Sequence, residues 1–66
     1  MVISVRKVKG LMGANLMTQI VLAKEAGVSR ATINNALLKG SCSTQTVGKI
    51  AKALGVDPAD IIEMED

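Results

Sequence analysis

Four residues within one short stretch carry side chains suited to recognising the edges of nucleic-acid bases. Arg30 has a planar guanidinium that can donate two hydrogen bonds to the O6 and N7 atoms of guanine. The amide of Asn34 or Asn35 can pair with the N6 and N7 atoms of adenine, and the methyl group of Ala31 can contact a thymine methyl group. Asparagine is a poor helix former, so two adjacent asparagines in a helical pattern indicate a polar role.

The apolar spacing of the same stretch predicts the helix that presents these side chains. At 100° per residue, the inward positions are Ile33, Ala36 and Leu37. The outward positions, with Arg30 at the shoulder of the first turn, are Ala31, Asn34, Asn35 and Leu38. We therefore predict a helix that starts after Ser29 and ends near Leu38 or Lys39, with one polar face turned outward. Leu38 is the apolar exception on that face.

A second predicted helix precedes this one, and a tight turn joins the two. The inward positions of this helix, at about residues 19–26, are Leu22, Ala23 and Ala26. Thr18 and Ser29 can cap the two helices, because each hydroxyl can accept a hydrogen bond from an unpaired amide in the turn that follows. Gly27 falls where the chain must reverse, and glycine tolerates the left-handed conformation that such a reversal needs.

The helix pair resembles a known motif at five of its residues, namely Gln19, Ala23, Gly27, Val28 and Ile33. Their types and spacing resemble the helix-turn-helix of the lambda-repressor and Cro family, also called Xre-type regulators. The resemblance continues through KIAKALGVDPADI at residues 49–61 and so covers nearly the whole chain. It implies a compact all-α domain of five helices, in which helices 2 and 3 form the helix-turn-helix and helix 3 enters the major groove of duplex DNA.

The remaining helices agree with one domain that spans residues 1–66. The apolar positions of the first helix, which Ser4 can cap, are Val5, Val8, Leu11 and Met12. Those of the fourth helix, which Ser43 can cap and which ends at Gly55, are Val47, Ile50, Ala51 and Leu54. Asp57 and Pro58 predict the start of a fifth helix, because a carboxylate caps well and proline suits the first turn. We expect Asn15 to adopt the left-handed conformation after the first helix.

Residues around the base-reading face are expected to hold the DNA backbone. The resemblance implies that Gln19 binds a phosphate and braces a neighbouring side chain. The other phosphate-binding candidates are Thr32, Lys39, Ser41, Ser43 and Thr44, with the free amides at the start of the fourth helix. Thr32 suits helix packing equally well, and the loop after helix 3 also fits an ordinary capped connection. Cys42 lies in that loop, and we expect it to be exposed.

Charge is unevenly distributed along the chain. Eight basic and six acidic residues give a net charge of +2. Five of the six acids lie in the last ten residues, so residues 1–56 hold all eight basic residues and only Glu25, a net charge of +7. Such an excess of basic residues in residues 1–56 is typical of a module that binds phosphates. The alternative is a solvated lysine-rich surface.

The composition argues against several other classes of protein. The chain has no Phe, Trp or Tyr, so recognition of RNA or single strands by stacking on aromatic rings is unavailable. It has no His, and the single Cys42 lacks partners for a disulfide or a metal site. We therefore expect no enzyme, metal, cofactor or small-molecule ligand. Without a signal peptide or an apolar run of about 20 residues, we expect a cytoplasmic protein without membrane contact.

Apolar residues beyond the needs of the core indicate a protein partner. Ile61, Ile62 and Met64 lie on the predicted fifth helix. Relatives often pair through this end, so we expect a homodimer interface there. Ile20 and Val21 occupy positions where relatives tend to carry charged residues. These two side chains either pack against the N-terminal residues or form an exposed patch that another subunit covers.

Together these features predict sequence-specific binding to double-stranded DNA by a small transcriptional regulator of bacterial or phage type, most simply a repressor. A dimer would bind a near-palindromic operator, because two copies of helix 3 would face half-sites about 34–36 Å apart. The alternative is a protein-interaction module of the same fold, such as an antitoxin or an adaptor, in which DNA binding is secondary.

Overall fold

A serine or threonine precedes each α-helix and caps it. In the computed structural model, which describes residues 1–63, the hydroxyls of Ser4, Thr18, Ser29 and Ser43 each accept a hydrogen bond from the amide three residues further along. The helices that follow are α1 (Val5–Ala14), α2 (Gln19–Ala26), α3 (Arg30–Lys39) and α4 (Thr44–Leu54). The predicted starts of all four helices are confirmed.

Each α-helix is followed by a residue in the left-handed backbone conformation, and one of these residues is not glycine. The chain leaves α2, α3 and α4 through residues with φ of 72°, 68° and 74°, which are Gly27, Gly40 and Gly55. After α1 the left-handed residue is Leu16, with φ of 55°, whereas Asn15 has φ of −94°. The prediction for Asn15 is therefore wrong by one position. The amide of Met17 donates to the carbonyl of Met12 at 2.8 Å, and this closing bond places Leu16 at the left-handed position.

Aliphatic side chains from all four helices meet in one core. The inward positions predicted for α2, α3 and α4 are buried, and Val8 and Met12 of α1 join them. The largest fully buried side chains are Ile3, Val8, Leu22, Ile33, Val47, Ile50 and Ile61. Helix α2 packs against both α3 and α4. The relative orientation of these three helices is thus set by the close fit of aliphatic groups.

The prediction of a fifth helix is wrong for the part of the chain that the structure describes. Pro58–Asp60 forms a single 3-10 turn. The carboxylate of Asp57 accepts from the amide of Ala59 at 2.9 Å, and that of Asp60 accepts from the amide of Asp57 at 3.2 Å. Beyond this turn the helix does not continue, because backbone groups of residues 61–63 form hydrogen bonds with the N-terminal residues.

The N-terminal residues form an extended segment between two other parts of the chain. The amide of Ile3 donates to the carbonyl of Gly40 at 2.9 Å, and the amide of Ser4 donates to the carbonyl of Ile61 at 2.7 Å. The isolated antiparallel bridges of this segment pair Val2 with Ser41 and Ile3 with Ile62. The segment therefore ties the loop that follows α3 to the residues that follow the 3-10 turn.

The three residues expected at a dimer interface occupy different environments. Ile61 is 0% exposed and belongs to the core, so its assignment to a dimer surface does not fit its position. The burial follows from the short 3-10 turn, which directs Ile61 inward before the chain pairs with the N-terminal segment. Ile62 is half-buried against the same core. Met64 lies outside the described residues.

The expectation that Cys42 is exposed is wrong. Its side chain is half-buried, because it packs partly against the core. Its amide donates to the carbonyl of Met1 at 3.0 Å, which holds the loop against the N-terminal segment. Burial raises the pKa of the Cys42 thiol, since the thiolate loses solvation, while the nearby N-terminal ammonium acts in the opposite direction. The thiolate is the reactive form, so this environment makes the residue less nucleophilic.

Replacement of Leu16 by glycine is expected to stabilise the domain by about 0.5–1 kcal/mol, because glycine adopts the left-handed conformation without a steric cost. Little packing is lost, since Leu16 is 91% exposed. A chemical denaturation curve measures the change. Leu16→Ala is the matched control: it keeps a Cβ at the same backbone conformation and should give no such gain. Equal stabilisation by both variants would contradict the explanation.

Alkylation of Cys42 by iodoacetamide is expected to be slower in the folded protein than in denaturant. Because the folded-state pKa is raised, the rate in the folded protein should increase only at higher pH than the rate in the unfolded chain. Mass spectrometry of samples quenched at several pH values measures both rates. Equal rates at every pH would show that the thiol is fully accessible and unperturbed.

Candidate nucleic-acid interface

Short-range hydrogen bonds and buried side chains fix the turn between α2 and α3. The amide of Gly27 donates to the carbonyl of Lys24 at 3.2 Å, and the amide of Val28 donates to that of Ala23 at 3.0 Å. Ala23 is 4% exposed and Ile33 is 0% exposed. A small residue at position 23 leaves room for α3 to pack closely. The two helices are therefore held as one unit, and α3 cannot rotate about its axis without exposing Ile33.

The face of α3 opposite to Ile33 is open to solvent, as the helical spacing predicts. Its exposed residues are Arg30, Ala31, Asn34, Asn35 and Leu38. Leu38 is 76% exposed, so this apolar side chain does point outward. No other part of residues 1–63 covers the polar side chains of this face. All four residues proposed to read bases are thus available to a ligand.

A surface groove gathers most of these side chains beside the start of α2. It has a volume of about 500 Å³ and is lined by Thr18, Gln19, Ile20, Arg30, Ala31 and Asn34. Three of the four candidate base readers therefore share a concave surface with Gln19. Asn35 is the fourth, and it lies on the exposed face of α3 outside this groove.

Two of the candidate phosphate contacts also have structural roles in helix caps. The hydroxyl of Thr32 lies 2.8 Å from that of Ser29, which also accepts from the Thr32 amide at 3.1 Å. Ser43 has the same arrangement with Thr46, at 2.9 Å between hydroxyls and 3.2 Å from the amide. Thr32 is half-buried, whereas Ser43 is exposed and can accept a further partner.

The other candidate phosphate contacts differ in accessibility. Lys39 and Thr44 are exposed at the end of α3 and the start of α4. Ser41 is half-buried beside Val2 of the N-terminal segment. Gln19 is half-buried at the mouth of the groove, where it lies beside the start of α3. Gln19 and the loop candidates therefore lie at opposite ends of α3.

The sequence did not identify Ile20 as part of the site. Ile20 is 59% exposed and lines the groove, whereas Val21 is 40% exposed and does not line it. Neither residue belongs to the buried core. The backbone of the N-terminal residues pairs with residues 41 and 62, and the exposure of Ile20 and Val21 fits the alternative of an exposed apolar patch. The one sign of this role in the sequence is that Ile20 is apolar at a position where relatives tend to carry a charged residue.

Basic side chains lie on the surface of the domain, and two of them, Arg30 and Lys39, are the first and last residues of α3. Each of the eight basic side chains is exposed, and no charged side chain is buried within residues 1–63. Glu25, the one acid before residue 57, lies in a second groove with Lys49 and Lys52. The described residues contain no cluster of three or more potential metal ligands. No helix among them has both the length and the apolar character needed to cross a bilayer.

Comparison with known proteins agrees with this geometry. A sequence model of the Cro/C1-type HTH DNA-binding domain matches residues 7–66, which include all four α-helices apart from the first two residues of α1. Searches of curated proteins and of solved structures gave no significant match. The matched region contains the capped helix pair, the turn at Gly27 and the exposed face of α3. The chain therefore belongs to the Cro/C1-type helix-turn-helix DNA-binding domain family.

Proposed function

We propose that this protein is a sequence-specific double-stranded DNA-binding regulator of bacterial or phage type, that it inserts α3 into the major groove, and that it acts as a repressor. The observation that carries the proposal is the exposed polar face of α3, which shares a groove with the start of α2. The exposed Arg30 and Lys39, the first and last residues of α3, support it, since basic side chains favour approach to phosphates. A cytoplasmic location is part of the proposal, because the DNA of a bacterial or phage regulator lies there.

The proposed base contacts follow from the chemistry of each exposed side chain. Arg30 donates two hydrogen bonds to guanine, and Asn34 or Asn35 pairs with adenine. Ala31 contacts a thymine methyl group. The side chains proposed to position the phosphate backbone are Gln19, Thr32, Lys39, Ser41, Ser43 and Thr44. These contacts hold the helix in register without reading sequence.

A homodimer on a near-palindromic operator completes the proposal. Two copies of α3 must then lie about 34–36 Å apart to occupy successive turns of the major groove. Of the two interface candidates that the structure describes, Ile62 remains partly accessible, so it supports a contact at this end of the domain. Repression follows if such a dimer occludes a promoter.

The exposed apolar side chains favour a second candidate function. Ile20 and Val21 are adjacent on α2 and are 59% and 40% exposed, and Leu38 of α3 is 76% exposed. A protein-interaction module, such as an antitoxin or an adaptor, would cover these residues with its partner. In that case DNA binding is secondary. The two functions differ in how strongly salt should weaken affinity for duplex DNA.

Affinity for duplex DNA is expected to fall steeply with salt. A dimer that neutralises about 6–10 phosphates should lose about 10³–10⁵ in affinity between 50 and 200 mM salt, because its basic side chains release condensed counterions. Fluorescence anisotropy with a labelled random-sequence duplex measures this dependence. Absence of binding at low salt, or affinity that does not change with salt, would instead support the protein-interaction module.

Substitutions on α3 should separate base readers from backbone contacts. A selection of bound duplexes from a random pool gives the preferred site of each variant. Arg30→Ala and Asn35→Ala should each relax preference at one base pair, at a cost of about 1–3 kcal/mol. Lys39→Ala is the matched control, and it should weaken binding to all sequences alike and reduce the salt slope by about 1.

All three side chains are exposed, so the variants should fold, which circular dichroism can verify. A uniform loss of affinity in all three variants, with no change in the preferred site, would contradict the assignment of Arg30 and Asn35 as base readers.

A further inference from the structure

Ile20 is the one large apolar side chain in the groove beside α3. It is 59% exposed and does not belong to the buried core, so burial in the core does not explain an isoleucine at this position. Its neighbours in the groove are polar or small, and they include Arg30, Asn34 and Ala31. The groove therefore combines hydrogen-bonding groups with a single apolar wall.

Ile20 lies in the same groove as a second apolar side chain, from a different helix. It is the second residue of α2, and it lines the same groove as Ala31, the second residue of α3. The two side chains thus provide apolar groups from two different helices to one concave surface. Val21, the next residue of α2, is also exposed but lies outside the groove. The apolar character of the groove therefore depends on Ile20 in particular.

The chemistry of the major groove offers one apolar group on the base edges. Guanine, cytosine and adenine present only hydrogen-bond donors and acceptors there, whereas thymine also presents its C5-methyl group. An isoleucine placed against a polar base edge would remove water from that edge without replacing its hydrogen bonds. Contact with a methyl group avoids this cost and removes apolar surface from water.

We infer that Ile20 is a specificity-determining residue that, with Ala31, contacts the C5-methyl group of a thymine in the operator. The inference rests on the proposed function, because it requires the groove to face the major groove of duplex DNA. It assigns to α2 a role in reading sequence, in addition to the contact of Gln19 with the backbone. The groove then selects a thymine beside the bases that Arg30 and Asn34 recognise.

Deoxyuridine tests this contact, because it differs from thymidine in the base only by the missing methyl group. The operator obtained from the random-pool selection is resynthesised with each thymine replaced in turn, and affinities are measured by fluorescence anisotropy. In the unmodified protein, one replacement per half-site should weaken binding about fourfold, the value expected for one buried methyl group. In Ile20→Ala, the thymine operator should bind about fourfold more weakly per half-site, and the same replacement should have a smaller effect than in the unmodified protein, because only Ala31 then contacts the methyl group.

Val21→Ala is the matched control, since it truncates an exposed apolar side chain one residue away and outside the groove. It should bind with unchanged affinity and keep the full effect of the deoxyuridine replacement. Alanine favours helix at both positions, so both variants should fold, and circular dichroism checks that they do.

Two results would overturn the inference while the proposed function stands: no thymine whose replacement matters, or a replacement effect that is equally large in Ile20→Ala and in the unmodified protein. Failure of the unmodified protein to bind any duplex, even at low salt, would overturn both.

Discussion

The fixed angle between α2 and α3 is the constraint on which the rest of the structure depends. The base contacts proposed for α3 require that the helix does not rotate, and rotation would expose Ile33, which is fully buried. Ala23 permits close packing from α2, and Leu22 adds a second fully buried contact. Because α2 also packs against α4, it joins the candidate interface to the remainder of the core. A core without aromatic rings must achieve this through close aliphatic fit.

Short helices make such an arrangement depend on their ends. Isolated helices of eight to eleven residues are marginal in water, and tertiary packing supplies most of their stability. At the start of each α-helix, the hydroxyl of the capping residue accepts a hydrogen bond from an amide that has no carbonyl partner within the helix. At Ser29 this cap is also where the turn meets α3, so the bond that starts the helix places Arg30 in its first turn. The same hydrogen bond therefore stabilises the start of α3 and positions the first residue of the candidate site.

The extended N-terminal segment has a comparable role at the other end of α3. Its hydrogen bonds to Gly40 and Ile61 hold the loop that carries Ser41 and lies between Lys39 and α4. That loop is one of the two regions proposed to contact phosphates, and the other is the start of α2. The side chains proposed to read bases lie between these two regions, which matches the usual arrangement on DNA, in which phosphate contacts set register and base contacts set sequence.

The sequence by itself determined the features that depend on neighbours within one helical turn. The cap at Ser29, the reversal at Gly27 and the outward face of α3 follow from residue type and spacing, and all three are present in the structure. Only the tertiary structure decided that residues 61–63 pair with the N-terminal segment instead of extending a helix, that Ile61 enters the core, and that Ile20 shares a groove with α3. These outcomes depend on hydrogen bonds and contacts between residues far apart in the chain, and no local periodicity encodes them.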